Sequence, residues 1–390
     1  MRLIKKTIET KIEDSEHIQY VRNFSDLALD YKTTYTPFEL VMTERDHNFK
    51  IMAIVGQSGS GKSTLLNSLR KPMTKPQWSN RPIIEHIHDD PEYATKCLTS
   101  VGLSSVPCWL KPYSVLSTGE KYRANLAYGL AHHDYLCFDE FASVVDEDTA
   151  ISSSNAIFKA IHRQNKQMIV ATCRRDILPY LKPCIVVDLD KEFVFATRGW
   201  DRQSFKLQLH RIDRSYWRWF APYHYLTGNL PDGCHNYLVT ATFPNGENKV
   251  VGFIGILRFA HPIKNGWLSS RVVVLPQFQG MGFGTKIEEL MGNYLVGTGY
   301  RLFCKTSHPI LGIYRNKNPQ KWRATKRNGK SSPDYLTRGL ENTYTKRNGK
   351  EKKEVSQEKI LWAASRISYS HEWIGGTTYE DKRPTQLSLF

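Results

Sequence analysis

The chain has 390 residues, 40% of them hydrophobic, and its 54 Lys and Arg exceed its 38 Asp and Glu for a net charge of +16. That length exceeds one ordinary domain and suffices for two cores, and the cationic excess points to a polyanionic partner. No apolar run approaches a membrane span, and the start MRLIKKTIETKIED has no apolar signal region. The seven cysteines contain no C-x-x-C pair and mostly fall in apolar runs, which predicts reduced core residues and a cytoplasmic setting, and the lack of a long apolar run predicts no membrane partner.

Residues 1–48 alternate polar and apolar side chains and predict strands, with Tyr31 or Tyr35 as candidates to stack on a nucleobase. IMAIV at 51–55 is a buried strand that breaks into GQSGSGKS and resumes with leucines at helical spacing. The loop fits G-x-x-x-x-G-K-[ST]. Gly56, Gln57, Ser58, Gly59, Ser60 and Gly61 let successive backbone N–H groups curl round a phosphate at the positive end of a helix. Lys62 reaches the outer phosphates, and the Ser63 hydroxyl, with Thr64 beside it, can ligate Mg²⁺. Between 64 and 116 the chain carries six prolines and the group Glu85, His86, His88, Asp89 and Asp90. That group lacks a second ligand set at a defined distance and reads as a polar helix end or loop. LSTGE at 116–120 precedes a helical pattern, and DYLCFDE at 134–140 is an apolar strand ending in paired carboxylates.

These three segments resemble the Walker A, signature and Walker B motifs of ABC-type ATPases, whose signature commonly reads L-S-G-G-Q; Thr118 and Glu120 depart from it. The resemblance implies ATP held between the Lys62 loop of one copy and Ser117, Gly119 and Glu120 of another, hence an ATP-dependent homodimer. It further implies that Asp139, with Ser63, organises Mg²⁺, that Glu140 polarises the attacking water, and that Asp146 lies in the D-loop. Cys173, in QMIVATCRRDI, stands where the family has a switch histidine, which leaves room for an ATP-gated clamp rather than a motor. The 64–116 segment is shorter than in transporter ATPases and argues against a transporter role.

PCIVVDLD and EFVFA predict two closing strands, and TRGWDRQS at 197–204 reads as a boundary. The expected division is 1–198, a linker at 199–205, a second domain at 206–376 and a flexible tail at 377–390. FKLQLHRID reads as a strand, SYWRWFAPYHYL as a short aromatic helix capped by Ser215, and strands follow at 236–243, 250–259 and 270–275. The last runs into PQFQGMGFGTKIEELMGNYL, again strand, glycine turn and helix, but without the lysine. Here Gln279, Gly280, Gly282 and Gly284 resemble the acyl-CoA loop of GNAT-fold acyltransferases, [QR]-x-x-G-x-G. The resemblance spans 205–376 and implies backbone amides holding the pyrophosphate of acetyl-CoA or another acyl-CoA. It also puts Tyr314 where many such enzymes keep a tyrosine that protonates the departing thiolate; a core tyrosine is the alternative. More loosely, PYHYL, with His224 and Tyr225, and HPILGIYR resemble Mom-type DNA-modifying enzymes of phages. The expected fold class is α/β: a P-loop ABC-type ATPase domain followed by a GNAT-like mixed α/β domain.

From 315 to 353 thirteen Lys or Arg face three Asp or Glu, TKRNGK occurs twice, and Trp322, Tyr335 and Tyr344 are interleaved. Such a mixture suits phosphate contacts with base stacking, and the candidate nucleic-acid contacts are Arg323, Lys326, Arg327, Lys330, Lys346, Arg347 and Lys350. The end, QLSLF, resembles the Q-L-[SD]-L-F peptide by which bacterial proteins dock on the replication sliding clamp, with Gln386, Leu387, Leu389 and Phe390 as anchors. The combined expectation is an ABC-type ATPase fused to a GNAT-like acyltransferase that modifies DNA in a bacterium or phage. Two alternatives stay open: an ATP-gated DNA-binding clamp with a non-catalytic GNAT fold, and an acyltransferase for tRNA or protein.

Overall fold

The computed structural model describes residues 2–11, 14–23, 32–42, 49–73, 76–197, 199–201, 203–224, 229–259, 263–331, 366–375 and 385–386. The chain divides into two compact units, Met1–Gln203 and Ser204–Phe390.

The first unit begins with β1 (Arg2–Lys11), α1 (Glu16–Arg22) and β2 (Lys32–Met42), β1 and β2 forming an antiparallel pair. Then come β3 (Ile51–Val55), α2 (Lys62–Leu69), α3 (Ile83–Ile87), α4 (Pro91–Ser100), α5 (Val106–Trp109), α6 (Thr118–His132) and β4 (Tyr135–Phe138). The unit closes with α7 (Glu147–Arg163), β5 (Gln167–Thr172), α8 (Leu178–Leu181), β6 (Ile185–Asp188) and β7 (Phe193–Ala196). The sheet order is β4-β5-β3-β6-β7, parallel except for β7. β3 is apolar at every position because both its faces are covered. Ile51, Ala53 and Val55 enter the core beneath α3, α4, α6 and α7, whereas Met52 and Ile54 pack with Leu65 and Leu66 of α2 on the other face. Asp146 caps α7 by accepting the Thr149 N–H at 2.9 Å, and acidic residues in the first turn face basic ones in the last.

The second unit contains β8 (Lys206–Ile212), β9 (His235–Thr242), β10 (Asn248–Arg258), β11 (Gly266–Val274), α9 (Phe283–Gly297), β12 (Arg301–Thr306), α10 (Pro309–Asn316), β13 (Trp322–Ala324), β14 (Tyr369–Trp373) and β15 (Thr385–Gln386). The sheet order is β13-β14-β12-β11-β10-β9-β8-β15. β8 to β11 are antiparallel neighbours; β11 and β12 are parallel, joined through α9. The register slips between Gly255 and Ile256 opposite β11, so one residue of β11, Ser270, is extra.

Two expectations are corrected. The aromatic segment is a 3₁₀ turn, Arg214–Trp219, whose cap is Asp213 accepting the Ser215 N–H at 2.8 Å, not Ser215. β11 starts at Gly266 rather than at 270. Thr385–Gln386 is a parallel partner of His210 and Arg211 on β8; the outer edge of β8 offers backbone groups to any strand that reaches it.

Candidate functional site

β3 leaves the sheet between β5 and β6, where the strand order reverses and where open parallel sheets bind their ligands. Gly59 (φ 82°) and Gly61 (φ 90°) occupy the left-handed region, and this pair turns successive N–H groups to one side. Gly56 is required for a different reason: a Cβ there would sit 2.5 Å from Ser60 Oγ and 3.1 Å from Asp190 Oδ1. Gly61 caps α2 with no side-chain bond, so the first-turn donors of α2 are left for a ligand. Lys62 Nζ donates across the loop to the Gln57 carbonyl. Gln57, Ser58 and Ser63 are exposed, Thr64 is half-buried, and Ser60 Oγ is buried with no hydrogen-bond partner. Donors on one side, a cation resting on a carbonyl and an open hydroxyl fit a polyphosphate with a divalent cation.

The paired carboxylates follow β4, two strands from β3. Asp139 Oδ1 accepts the Glu140 N–H at 2.9 Å. Glu140 is exposed and has φ 51°, and Ala142 has φ 61°. Such backbones cost of order 1–3 kcal/mol each without glycine, so neighbouring structure must hold them. Phe141 does so: its N–H donates to Ala171 O and its carbonyl accepts the Thr172 hydroxyl, both at 2.8 Å. The Tyr122 ring of α6 meets Phe141 edge-on at 5.8 Å. Cys173, next along from Thr172, is exposed.

Ser117 and Glu120 form a reciprocal capping box at the start of α6: the Ser117 N–H donates to Glu120 Oε2 at 2.9 Å, and Ser117 Oγ accepts the Glu120 N–H at 3.3 Å. The Cys108 thiol also donates to Glu120 Oε1 at 2.8 Å, and burial followed by that carboxylate pushes the thiol up to about 11. Glu120 is therefore committed to its own helix. Ser117 stays exposed, and Gly119 stands 3.4 Å, measured from an added Cβ, from Thr149 Cγ2. His86 and His88 are held locally, by Ser79 Oγ at 3.0 Å and by the Asp90 N–H at 3.0 Å. Among the described residues no group of His, Cys, Asp or Glu is gathered to hold a metal ion.

In the second unit, Gly280 (φ 88°) and Gly282 (φ 90°) precede α9, which opens with the buried Phe283. The buried Gln279 side chain donates to Val274 O at 3.2 Å, which fastens the turn to the end of β11. A Cβ on Gly284 would meet only Val274 Cγ2, at 3.8 Å. Tyr314, on α10, donates its hydroxyl to Glu289 Oε1 of α9 at 2.7 Å, and burial and this carboxylate push it up to about 12. Lys286 pairs with the same carboxylate at 2.7 Å and Lys321 at 3.5 Å. His224 is buried, its ring 5.8 Å from that of Trp217 at an interplanar angle of 66°, while Tyr225 lies outside the described residues.

Lys326, Arg327 and Lys330 are exposed just beyond β13, the edge strand. Arg323 is not a free cation: it pairs with Glu372 at 2.7 Å, opposite Arg301. Lys346, Arg347, Lys350, Leu387, Leu389, Phe390 and Tyr31 lie outside the described residues; of Gln386 and Tyr35 only the main chain is described. Among the described residues no helix is long and apolar enough to cross a membrane. Sequence reading missed Arg175, Asp190 and Glu289, whose roles arise from partners distant in the chain.

No family model matches the chain, and no curated protein matches it. Among solved structures it is similar to a dimeric ATP-binding cassette in a post-hydrolysis state with ADP and Pi, at 15% identity and a TM-score of 0.35, covering 51% of this chain and 100% of that one. A dimeric bacterial ABC transporter cassette gives 17% identity, a TM-score of 0.35 and the same coverage. A cassette from Clostridium perfringens, part of an ABC transporter complex, gives 20% identity and a TM-score of 0.30 over 37% of this chain and 75% of that one.

Proposed function

We propose that the chain is an ABC-type ATPase joined to a GNAT-like acyltransferase that modifies DNA in the cytoplasm of a bacterium or of a phage-infected cell. The observation that carries the ATPase half is a lysine-bearing glycine loop at the switch point of a parallel sheet, with a carboxylate pair two strands away. In this reading the amides of 59–63 and Lys62 hold the ATP phosphates, and Ser63 and Asp139 hold Mg²⁺, which supplies charge neutralisation at the transferring phosphoryl group. Glu140 orients and polarises the attacking water, and the Ser117 end of α6 in a second copy completes the site.

The acyltransferase half is supported by the second left-handed glycine pair at the start of α9, set in the parallel step β11-α9-β12. Gly280, Gly282 and Gly284 would present amides to the pyrophosphate of acetyl-CoA or another acyl-CoA. Tyr314 keeps its proton at neutral pH, since it is pushed up to about 12, and would deliver it to a thiolate only on leaving Glu289. The exposed cations beyond β13 supply phosphate contacts, and Gln386, Leu387, Leu389 and Phe390 dock on a bacterial sliding clamp.

The second reading, an ATP-gated DNA-binding clamp with a non-catalytic GNAT fold, draws on the same Tyr314–Glu289 bond, which occupies the proposed acid. An acetyl-CoA thermal shift on the purified protein separates the two: stabilisation supports the transferase, and no shift favours the clamp. Mass spectrometry of nucleosides from DNA and tRNA of expressing cells then tests the substrate. A new modified deoxynucleoside supports the proposal, whereas a change confined to tRNA, or to neither, overturns it.

A further inference from the structure

The first amide of the phosphate loop is already taken. Gln57 N–H donates to Asp190 Oδ1 at 2.8 Å, across 133 residues of chain. Asp190 Oδ2 accepts Arg175 Nη2 at 2.8 Å, and Arg175 Nη1 turns to Asp188 Oδ2 at 2.5 Å. The register explains the meeting: Val55 is level with Thr172 on one side and Asp188 on the other, so the segments leaving β3, β5 and β6 start side by side. Asp188 is buried at 2% exposure and anchors the arginine, while Asp190 is partly exposed. The amide bond and Arg175 together hold Asp190 below the usual carboxylate range.

A bare carboxylate at the entrance of a polyphosphate loop repels its ligand. Here Arg175, which also holds Asp188 through both of its terminal nitrogens, covers the oxygen that faces away from Gln57, so the carboxylate orders the loop with part of its negative charge offset. We infer that Arg175 and Asp190 are positioning residues, a brace that fixes the entry of the phosphate loop and ties it to segment 173–176, where Cys173 lies. The inference rests on the reading of the Lys62 loop as the ATP site. Gly56 belongs to the same device, since any side chain there would collide with Ser60 and crowd Asp190.

The test is ATP affinity and ATPase kinetics on the full chain for the wild type, Lys62→Ala, Asp190→Ala, Asp190→Asn, Arg175→Ala and the double variant Arg175→Ala/Asp190→Asn. Asp190→Ala should raise Kd and KM for ATP about tenfold, the scale of one charge-assisted hydrogen bond, with kcat within about twofold. Asp190→Asn, which can still accept from Gln57, should recover most of that loss. Arg175→Ala uncovers the carboxylate and should weaken ATP further, and adding Asp190→Asn should restore affinity above that of Arg175→Ala alone. Two parts that merely support the fold would instead give a double variant no better than the worse single one, and that outcome overturns the brace, as does wild-type affinity in Asp190→Ala. Should Arg175→Ala fail to fold with Asp188 stranded, the Asp190→Ala and Asp190→Asn pair, which leaves the Arg175–Asp188 bond intact, decides. A wild type that binds no ATP, or a Lys62→Ala variant that binds it normally, overturns the site reading and the brace with it; normal binding lost in Lys62→Ala but unmoved in Asp190→Ala overturns the brace alone.

Discussion

The two glycine loops have nearly the same backbone and different chemistry. In each, two glycines one residue apart lie at φ 82–90°, and the second caps a helix at φ 90° with ψ 13° in one and 10° in the other. What differs is the residue that follows. Lys62 rests on a carbonyl that it can leave for a phosphate, and the exposed Ser63 comes next. After Gly282 comes Phe283, buried against the sheet, and the nearest lysine, Lys286, is paired with Glu289. The first loop thus combines amides with a mobile cation and a hydroxyl, the equipment for a triphosphate and its metal. The second offers amides alone, enough to hold a diphosphate that is not cleaved. Neighbours reinforce the contrast: a carboxylate pair follows β4, two strands from the strand that carries the first loop, whereas Glu288 and Glu289, on the second loop's own helix, are tied to Arg315 and Tyr314.

The largest effect that this contrast predicts is at Glu140. Glu140→Gln should lower ATPase kcat by about 10²–10⁴, the range of a lost general base, while ATP still binds and the ATP-dependent dimer accumulates. Acyl-CoA binding should not change. Sizing with ATP that shows only monomers of this variant would contradict the shared-site arrangement.

Exchanging the two lysines comes next. Lys62→Ala should weaken ATP binding about 100-fold, as expected for a lost cation–phosphate contact, and Lys286→Ala should leave both ATP and acyl-CoA affinity within about threefold. Equal losses from both, measured by calorimetry, would mean that the loops are alike in function as well as in backbone.

At the second loop, Gly282→Glu should abolish acyl-CoA binding and leave ATPase activity intact. Strain and charge both contribute: the left-handed backbone costs an L-residue about 1–2 kcal/mol, and a carboxylate at the helix start repels a pyrophosphate. Gly282→Ala separates them, since it carries the strain without the charge and should keep part of the binding.

The phosphate loop was legible in the sequence because its chemistry is local: consecutive amides, two glycines and a lysine need no distant partner. Strands β3, β4 and β5 were legible for a related reason, since burial on both faces makes them continuous apolar runs. What escaped was every contact fixed by tertiary register. Nothing near Gln57 announces Asp190, nothing near Tyr314 announces Glu289, and Arg323 looks like a free cation until β14 brings Glu372 beside it. Glu120 carries two readings at once. Its place in the signature suggests a nucleotide contact, and three residues from Ser117 it also completes a capping box at the helix start. The start of β11 was hidden by the turn at Asn265 and Gly266, which reads as loop although the strand resumes within it.

The smallest expected effect is the most selective, and it lies at Gly284. Gly280 and Gly282 are demanded by their backbones, so a defect there cannot by itself distinguish folding from binding. Gly284 has no such demand. It sits inside α9 with helical geometry, and a Cβ would reach Val274 Cγ2 at 3.8 Å, an ordinary contact. Alanine is the better helix former, by up to about 1 kcal/mol in a helix interior and less in a first turn, so Gly284→Ala should hold or raise the unfolding temperature of the free protein. If a pyrophosphate lies against the amides at the start of α9, the added methyl stands in its path, and acyl-CoA affinity should fall about fivefold, the scale of one weakened hydrogen bond. A stabilised protein with weakened acyl-CoA binding would show that glycine is kept at this position for a ligand. Unchanged binding in a stabilised variant would confine any phosphate contact to the amides before Phe283.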